Sequence, residues 1–74
     1  MEILKLTRRK RIENLPNGTL FMSESGTIAL KSEYHTDKGA CECYIVGTGE
    51  FFWGGVKEAS DLNKMLVYPI EIIE

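Results

Sequence analysis

The sequence predicts a mainly β fold: a small, strongly bent antiparallel sheet, a barrel or a roll, of five to six short strands. Two observations predict it. Short apolar or alternating segments recur along the chain, and turn sequences with glycine, proline or asparagine separate them. Residues 56–65 have helical character, so at most one short helical segment is expected. The length of 74 residues predicts a single domain, 1–74, with a thin core.

Three strands are predicted in the first half of the chain. Residues 2–6 form the first, and residues 7–15 are either its continuation or one helical turn. Residues 15–19 form a turn that contains Pro16 and an Asn-Gly pair, and a strand over 20–22 follows it. After the turn 23–26, residues 27–34 form the third strand. Its even positions share an apolar face (Ile28, Leu30, Ser32 and Tyr34), and its odd positions are expected to be solvated (Ala29, Lys31 and Glu33).

A β-hairpin is predicted for residues 41–55, with Cys41, Cys43 and Ile45 on one face. The connection Gly47-Thr48-Gly49 has a common hairpin length and offers glycine for a left-handed position. Residues 51–53 form the return strand. Residues 66–74 form a closing strand. Because proline cannot donate to a ladder, this strand is expected either to lie at an edge or to start after Pro69.

The two cysteines are expected to be reduced thiols on a core face. Cys41 and Cys43 are separated by one residue, and in a strand such residues lie about 6.5–7 Å apart, at or beyond the limit for a disulfide. Without an apolar leader, such thiols indicate a cytoplasmic protein. His35 is the single histidine, so a metal site with both cysteines lacks a fourth ligand. A nucleophilic cysteine with His35 and Asp37 has no support beyond proximity in sequence. We expect no enzyme activity, no cofactor and no metal.

Charge is distributed unevenly, although the net charge is −2. Residues 1–11 carry a net charge of +4, and residues 12–74 carry −6. Residues 1–11 are therefore a basic N-terminal arm or first strand on an acidic body. The acidic body disfavours general nucleic-acid binding, while the arm suits a phosphate, a nucleic acid or an acidic partner.

The aromatic residues of the hairpin are the strongest functional signal. In a strand, Phe51 and Trp53 share a face and Phe52 takes the other, and a sheet this small cannot bury both faces deeply. In one interpretation Phe51 and Trp53 fill the core while Phe52 packs under residues 56–65. In the other, exposed aromatic side chains and the arginine-rich arm bind a ligand or partner. The candidate ligand-binding residues are Arg8, Arg9, Arg11, Tyr44, Phe52 and Trp53.

A recurring turn and core pattern covers most of the chain: a basic stretch, a Leu-Pro-x-Gly-Thr entry, a Gly-apolar-apolar-Leu-Lys strand, a Thr-Gly hairpin and a closing apolar strand. This pattern resembles that of small phage and prophage proteins. The chain departs from it in residues 51–55 and 56–65, so no site residue carries over. The matching residues are Leu15, Pro16, Gly18, Thr19, Gly26, Ile28, Leu30, Lys31, Thr48, Gly49, Val67 and Pro69.

This resemblance implies a protein that acts by binding, located in the host cytoplasm if it is phage-encoded. We expect a non-enzymatic protein that self-associates as a homo-oligomer. It would inhibit a host factor or sequester a small phosphorylated ligand such as a signalling nucleotide. The alternatives are a single-stranded nucleic-acid-binding β-barrel and a structural phage component. No apolar run approaches the roughly 20 residues of a membrane span, so no membrane partner is expected.

Overall fold

The computed structural model describes residues 3–6 and 8–73, and the side chains of residues 8–70. The prediction of a mainly β fold with one short α-helix is confirmed, and the bent sheet is not closed into a barrel. The elements in chain order are β1 (Ile3–Leu6), β2 (Lys10–Arg11), a 3-10 helix (Ile12–Asn14), β3 (Leu20–Met22), β4 (Ile28–His35), β5 (Cys41–Ile45), α1 (Ala59–Asn63) and β6 (Leu66–Ile73).

Five strands lie in the spatial order β1-β6-β3-β4-β5, and every described pairing is antiparallel. The short strand β2 pairs with the start of β6, with Arg11 opposite Leu66. The stretch that the sequence left undecided between strand and helical turn therefore contains both, because the 3-10 helix follows β2 directly. β3 occupies the centre of the sheet.

The strand that contains Pro69 is not an edge strand, and it begins before the proline, at Leu66, so both alternatives for this strand are wrong. β6 has neighbours on both flanks, and Pro69 lies opposite Phe21 of β3. On the other flank, the ladder with β2 ends at Val67 and the ladder with β1 begins at Ile70. Proline is usually confined to edge strands, strand starts and bulges, so Pro69 is an exception to that rule in a strand with neighbours on both flanks.

One side of the sheet carries the core. The two helices and residue Phe52 cover it, and Leu62 of α1 and Ile12 of the 3-10 helix are fully buried. Neither helix of the described chain has the length and apolar surface that crossing a bilayer requires. The buried core residues are Ile12, Leu15, Phe21, Ala29, Ala40, Cys41, Cys43, Phe52, Leu62 and Val67.

The predicted faces of β4 are reversed in the structure. Ala29 is fully buried and Lys31 is 5% exposed, whereas Ile28 and Leu30 are 40% and 38% exposed. Ala29 lies opposite Phe21, which belongs to the core. The alternation along β4 was correctly recognised, but hydrophobicity selected the wrong face.

Lys31 is buried because backbone oxygens accept hydrogen bonds from its ammonium group. Nζ donates to the oxygen of Leu15 at 2.6 Å and to that of Glu13 at 3.3 Å. These contacts attach the end of the 3-10 helix to the centre of β4. Buried charge is tolerated when it is hydrogen-bonded, which hydrophobic patterning cannot anticipate.

The hairpin after β5 is shorter than predicted. Gly49 has a φ of 76°, as the three-residue connection requires, and the Ile45 amide donates to the Glu50 oxygen at 2.8 Å. The return segment makes a single bridge, between Phe51 and Tyr44, so the predicted strand over 51–53 is wrong beyond that bridge.

Candidate ligand-binding site

Three aromatic side chains form a row at the β5 end of the sheet. The rings of Tyr44 and Phe51 meet edge to face with centroids 6.1 Å apart. Phe51 and Trp53 are tilted by 37° with centroids 4.5 Å apart. Trp53 is 46% exposed, so this aromatic row (Tyr44, Phe51 and Trp53) presents a large indole surface to a ligand.

Phe52 does not belong to the aromatic row. It is 3% exposed and packs edge to face on Phe21 with ring centroids 5.4 Å apart. Phe51 takes the place in the row that the sequence analysis assigned to Phe52. The alternation of residues 51–53 separated Phe52 from its two neighbours, but it did not indicate which side faced the core.

A pocket of about 720 Å³ opens beside Trp53. Its volume lies within the usual range for small-molecule sites, roughly 300–1,000 Å³. The walls come from the turn between β3 and β4, the segment after the hairpin and the start of β6. Its lining combines apolar side chains, hydroxyl groups and one charge of each sign: Ser23, Glu24, Ser25, Thr27, Ile45, Phe52, Trp53, Gly54, Gly55, Lys64, Met65 and Leu66.

The turn between β3 and β4 holds its hydroxyl groups through its own hydrogen bonds. Ser23 Oγ lies 2.8 Å from Ser25 Oγ and accepts from the Thr27 amide at 3.1 Å. The Ser23 amide donates to the Thr27 oxygen at 2.8 Å. These bonds place three hydroxyl-bearing residues along one wall of the pocket.

The candidate arginines are all exposed, and two are connected to the pocket. Arg9 Nη1 donates to Glu24 Oε1 at 2.7 Å, and Glu24 lines the pocket. Arg11 lies opposite Leu66, another lining residue, and its Nη1 is 3.8 Å from Glu13 Oε2. Arg8 is exposed on the segment before β2. The three arginines are therefore not among the residues that line the pocket, and Arg9 reaches it only through its ion pair with Glu24.

Trp53 also lines a second, smaller pocket of about 310 Å³. Two basic side chains, Lys38 and Lys57, line it together with Asp37. The indole of Trp53 therefore lines two pockets, one with a single lysine (Lys64) and one with two (Lys38 and Lys57).

Tyr44 is half-buried, and its hydroxyl donates to Glu42 Oε1 at 2.5 Å. This hydrogen bond raises the pKa of Tyr44, with smaller contributions from burial and the charge of Glu42. The phenol is therefore protonated at neutral pH, and its bond to Glu42 fixes the first ring of the aromatic row.

The cysteines belong to the core and are both free thiols. Burial raises the pKa of Cys41, and it raises the pKa of Cys43 to about 12, with a further contribution from Cys41. Nucleophilic chemistry needs a thiolate, so neither thiol is poised for it at neutral pH. His35 is exposed, and the part of the chain that is described holds no cluster of three or more potential metal ligands.

No protein-family model, curated protein or solved structure matches the chain.

Gly54 shapes the pocket wall, and its replacement by alanine is expected to destabilise the fold. Gly54 has a φ of 62°, and an added Cβ would collide with Met65 Cε and lie 2.7 Å from Met65 Sδ and 3.2 Å from Phe52 Cε2. A left-handed alanine costs about 1–2 kcal/mol, and moving the flexible end of the Met65 side chain adds a smaller amount. We expect Gly54→Ala to lower the free energy of unfolding by about 2 kcal/mol in urea denaturation, slightly more than the left-handed conformation alone.

Gly55→Ala is the matched control for this prediction. Gly55 also has a positive φ, 80°, but an added Cβ would meet no atom within 4 Å. This variant should therefore lose only about 1–2 kcal/mol, the cost of the left-handed conformation. Equal losses in the two variants would show that Met65 and Phe52 do not restrict the space beside Gly54.

Proposed function

We propose that this chain is a non-enzymatic binding protein whose larger pocket holds a small phosphorylated ligand with a flat ring, such as a nucleotide. The observation that carries the proposal is the exposed indole of Trp53 on the wall of a pocket of about 720 Å³ that Lys64 also lines. An indole can stack on any of the nucleobases, because each has a flat π face. The ammonium group of a lysine can bind a phosphate.

The hydroxyl groups of the turn between β3 and β4 supply neutral donors for the same ligand. Ser23, Ser25 and Thr27 line the same pocket as Lys64. A phosphate bound by Lys64 would therefore find hydroxyl donors in that pocket. In the phage setting that the sequence resemblance implies, such a protein would sequester a host signalling nucleotide.

The ion pair between Arg9 and Glu24 determines how the basic arm contributes to binding of the phosphorylated ligand. Glu24 already neutralises Arg9, and both side chains are well exposed, 47% and 64%. An arriving phosphate competes with Glu24 for the guanidinium, because both are acceptors that match its fork. Loss of the Glu24 charge should therefore favour the ligand.

Trp53 is the single tryptophan of the chain, so its fluorescence reports ligand binding in the pocket. We expect mononucleotides to quench Trp53 fluorescence, and adenosine or inorganic phosphate alone to act much more weakly. Lys64→Gln should weaken binding about tenfold, the size of one charge-assisted hydrogen bond, and Glu24→Gln should strengthen it. Lys57→Gln, which alters the smaller pocket, is the matched control.

Two outcomes would contradict the proposal. The first is an indole signal that no mononucleotide changes. The second is equal weakening by Lys64→Gln and Lys57→Gln, which would remove the larger pocket from the interaction. Quenching by single-stranded oligonucleotides that falls steeply with salt would instead favour the nucleic-acid-binding alternative.

A further inference from the structure

The lysines of the acidic body are concentrated around Trp53. This part of the chain carries four lysines against ten acidic residues. Lys31 is buried and donates to backbone oxygens. The other three are exposed, and each lines a pocket that Trp53 also lines: Lys64 the larger pocket, and Lys38 and Lys57 the smaller one. The exposed lysines of the acidic body therefore all lie in pockets that share one indole.

The smaller pocket has the more favourable charge for an anion. Its lining holds two lysines and one acid, Asp37, for a net charge of +1, whereas the larger pocket holds one lysine and Glu24, for a net charge of zero. The ion pairs of the described chain involve arginines and not these lysines. Their ammonium groups are therefore available to a ligand, and an anionic group is attracted most strongly to the smaller pocket.

Asn63 connects the walls of the two pockets. Its Oδ1 accepts a hydrogen bond from the Cys41 amide at 2.8 Å, and its Nδ2 donates to the Gly39 oxygen at 2.9 Å. Gly39 directly follows Lys38 in the chain, and Lys64 directly follows Asn63. A lysine of each pocket therefore lies next to the same hydrogen-bonded contact, which brings both pockets within reach of a single small ligand.

We propose that the preferred ligand is a nucleotide with phosphate groups at two separate positions, and that the smaller pocket is the subsite for the second phosphate. This subsite depends on the proposed function, because it requires a base stacked on Trp53. Of the described residues that line the two pockets, Trp53 is the one that both share. With the base on this indole, one phosphate binds at Lys64 and the other at Lys38 and Lys57.

The volume of the smaller pocket fits part of a ligand. At about 310 Å³ it lies at the lower end of the range for small-molecule sites, roughly 300–1,000 Å³, whereas the larger pocket of about 720 Å³ lies well inside this range. The smaller pocket therefore suits a phosphate and part of a sugar. A nucleotide with two adjacent phosphates on one hydroxyl, such as ADP, would place both phosphates in the same pocket and gain less from the second.

Quenching of Trp53 fluorescence at one salt concentration tests the second subsite with three probes: AMP, ADP and an adenosine bisphosphate whose phosphates are on different ribose hydroxyls. The bisphosphate should bind about tenfold more tightly than AMP, the size of one charge-assisted hydrogen bond, and also more tightly than ADP.

Lysine variants locate the second phosphate. Lys57→Gln should weaken binding of the bisphosphate about tenfold and binding of AMP much less, and Lys38→Gln should act in the same direction. Lys10→Gln is the matched control, because it removes an equal charge from an exposed position that lines neither pocket. It should keep the preference for the bisphosphate. All three positions are exposed, and circular dichroism establishes that each variant is folded.

Three outcomes would overturn the second subsite and leave the proposed function intact. The first is binding of AMP with no tighter binding of the bisphosphate. The second is a preference for the bisphosphate that Lys57→Gln and Lys38→Gln both retain. The third is an equal loss of this preference in Lys10→Gln, which would assign it to net charge. An indole signal that none of the three probes changes would instead overturn the proposed function, and the second subsite with it.

Discussion

Phe21→Ala is expected to lower the free energy of unfolding by about 3–5 kcal/mol, because it removes a large, fully buried side chain at the centre of the sheet. Phe21 lies on the central strand, opposite Ala29 on one flank and Pro69 on the other. A domain of this length has a total stability of only about 4–11 kcal/mol. The variant should therefore be largely unfolded in mild urea, as Trp53 fluorescence would show.

Phe21→Leu is the control, since it keeps most of the apolar volume and should lose clearly less stability. The edge-to-face contact with Phe52 adds a second measurable quantity. A double-mutant cycle between Phe21→Leu and Phe52→Leu should give a coupling of about 0.5–1.5 kcal/mol. A loss below about 1.5 kcal/mol in Phe21→Ala would contradict the fully packed environment of this ring.

The local order of the fold could be predicted from the sequence because turns have strong signatures. The Asn17-Gly18 turn and the Gly49 connection both lie where glycine was expected, and their glycines have φ values of 85° and 76°. The strands between them follow because each apolar segment is too short for a helix. The positions of turns and the lengths of strands depend on residues close together in the sequence, so sequence patterns are sufficient to predict them.

The choice of the core side could not be predicted, because it depends on contacts far along the chain. Lys31 is buried only because the carbonyl oxygens of Leu15 and Glu13 lie within reach, sixteen and eighteen residues away. Ile28 and Leu30 remain accessible because the helices and Phe52 cover the other side. Because β4 carries its larger apolar side chains on the outer side, its alternation does not identify the inner face.

The candidate site could be predicted in part. The sequence left Trp53 open between the core and an exposed binding surface, and it named Arg9 as a candidate for contacting an anion; the structure shows Trp53 exposed. The pocket beside Trp53 also needs Lys64 and the serine-rich turn, which have no distinctive pattern of their own. Only the folded sheet brings these segments together.

Alkaline pH is expected to destabilise the chain through Cys43. Burial raises the pKa of this thiol from 9.0 to about 12. The folded state therefore keeps the proton that the unfolded chain releases above about pH 9. Stability from the buried thiol is complete below that pH and falls as the pH rises toward 12. The expected loss is about 2 kcal/mol near pH 10.5 and approaches about 4 kcal/mol at pH 12.

Urea denaturation at pH 8 and at several higher pH values measures this dependence, and Cys43→Ala tests its source. The variant lacks the titrating thiol, so its stability should decline less between pH 9 and pH 12, whatever the cost of the lost sulfur at neutral pH. Cys41→Ala should remove a smaller part of the decline, because burial shifts the pKa of Cys41 less strongly. If Cys43→Ala declines as steeply as the wild type, the alkaline transition belongs to another group and Cys43 is not its cause.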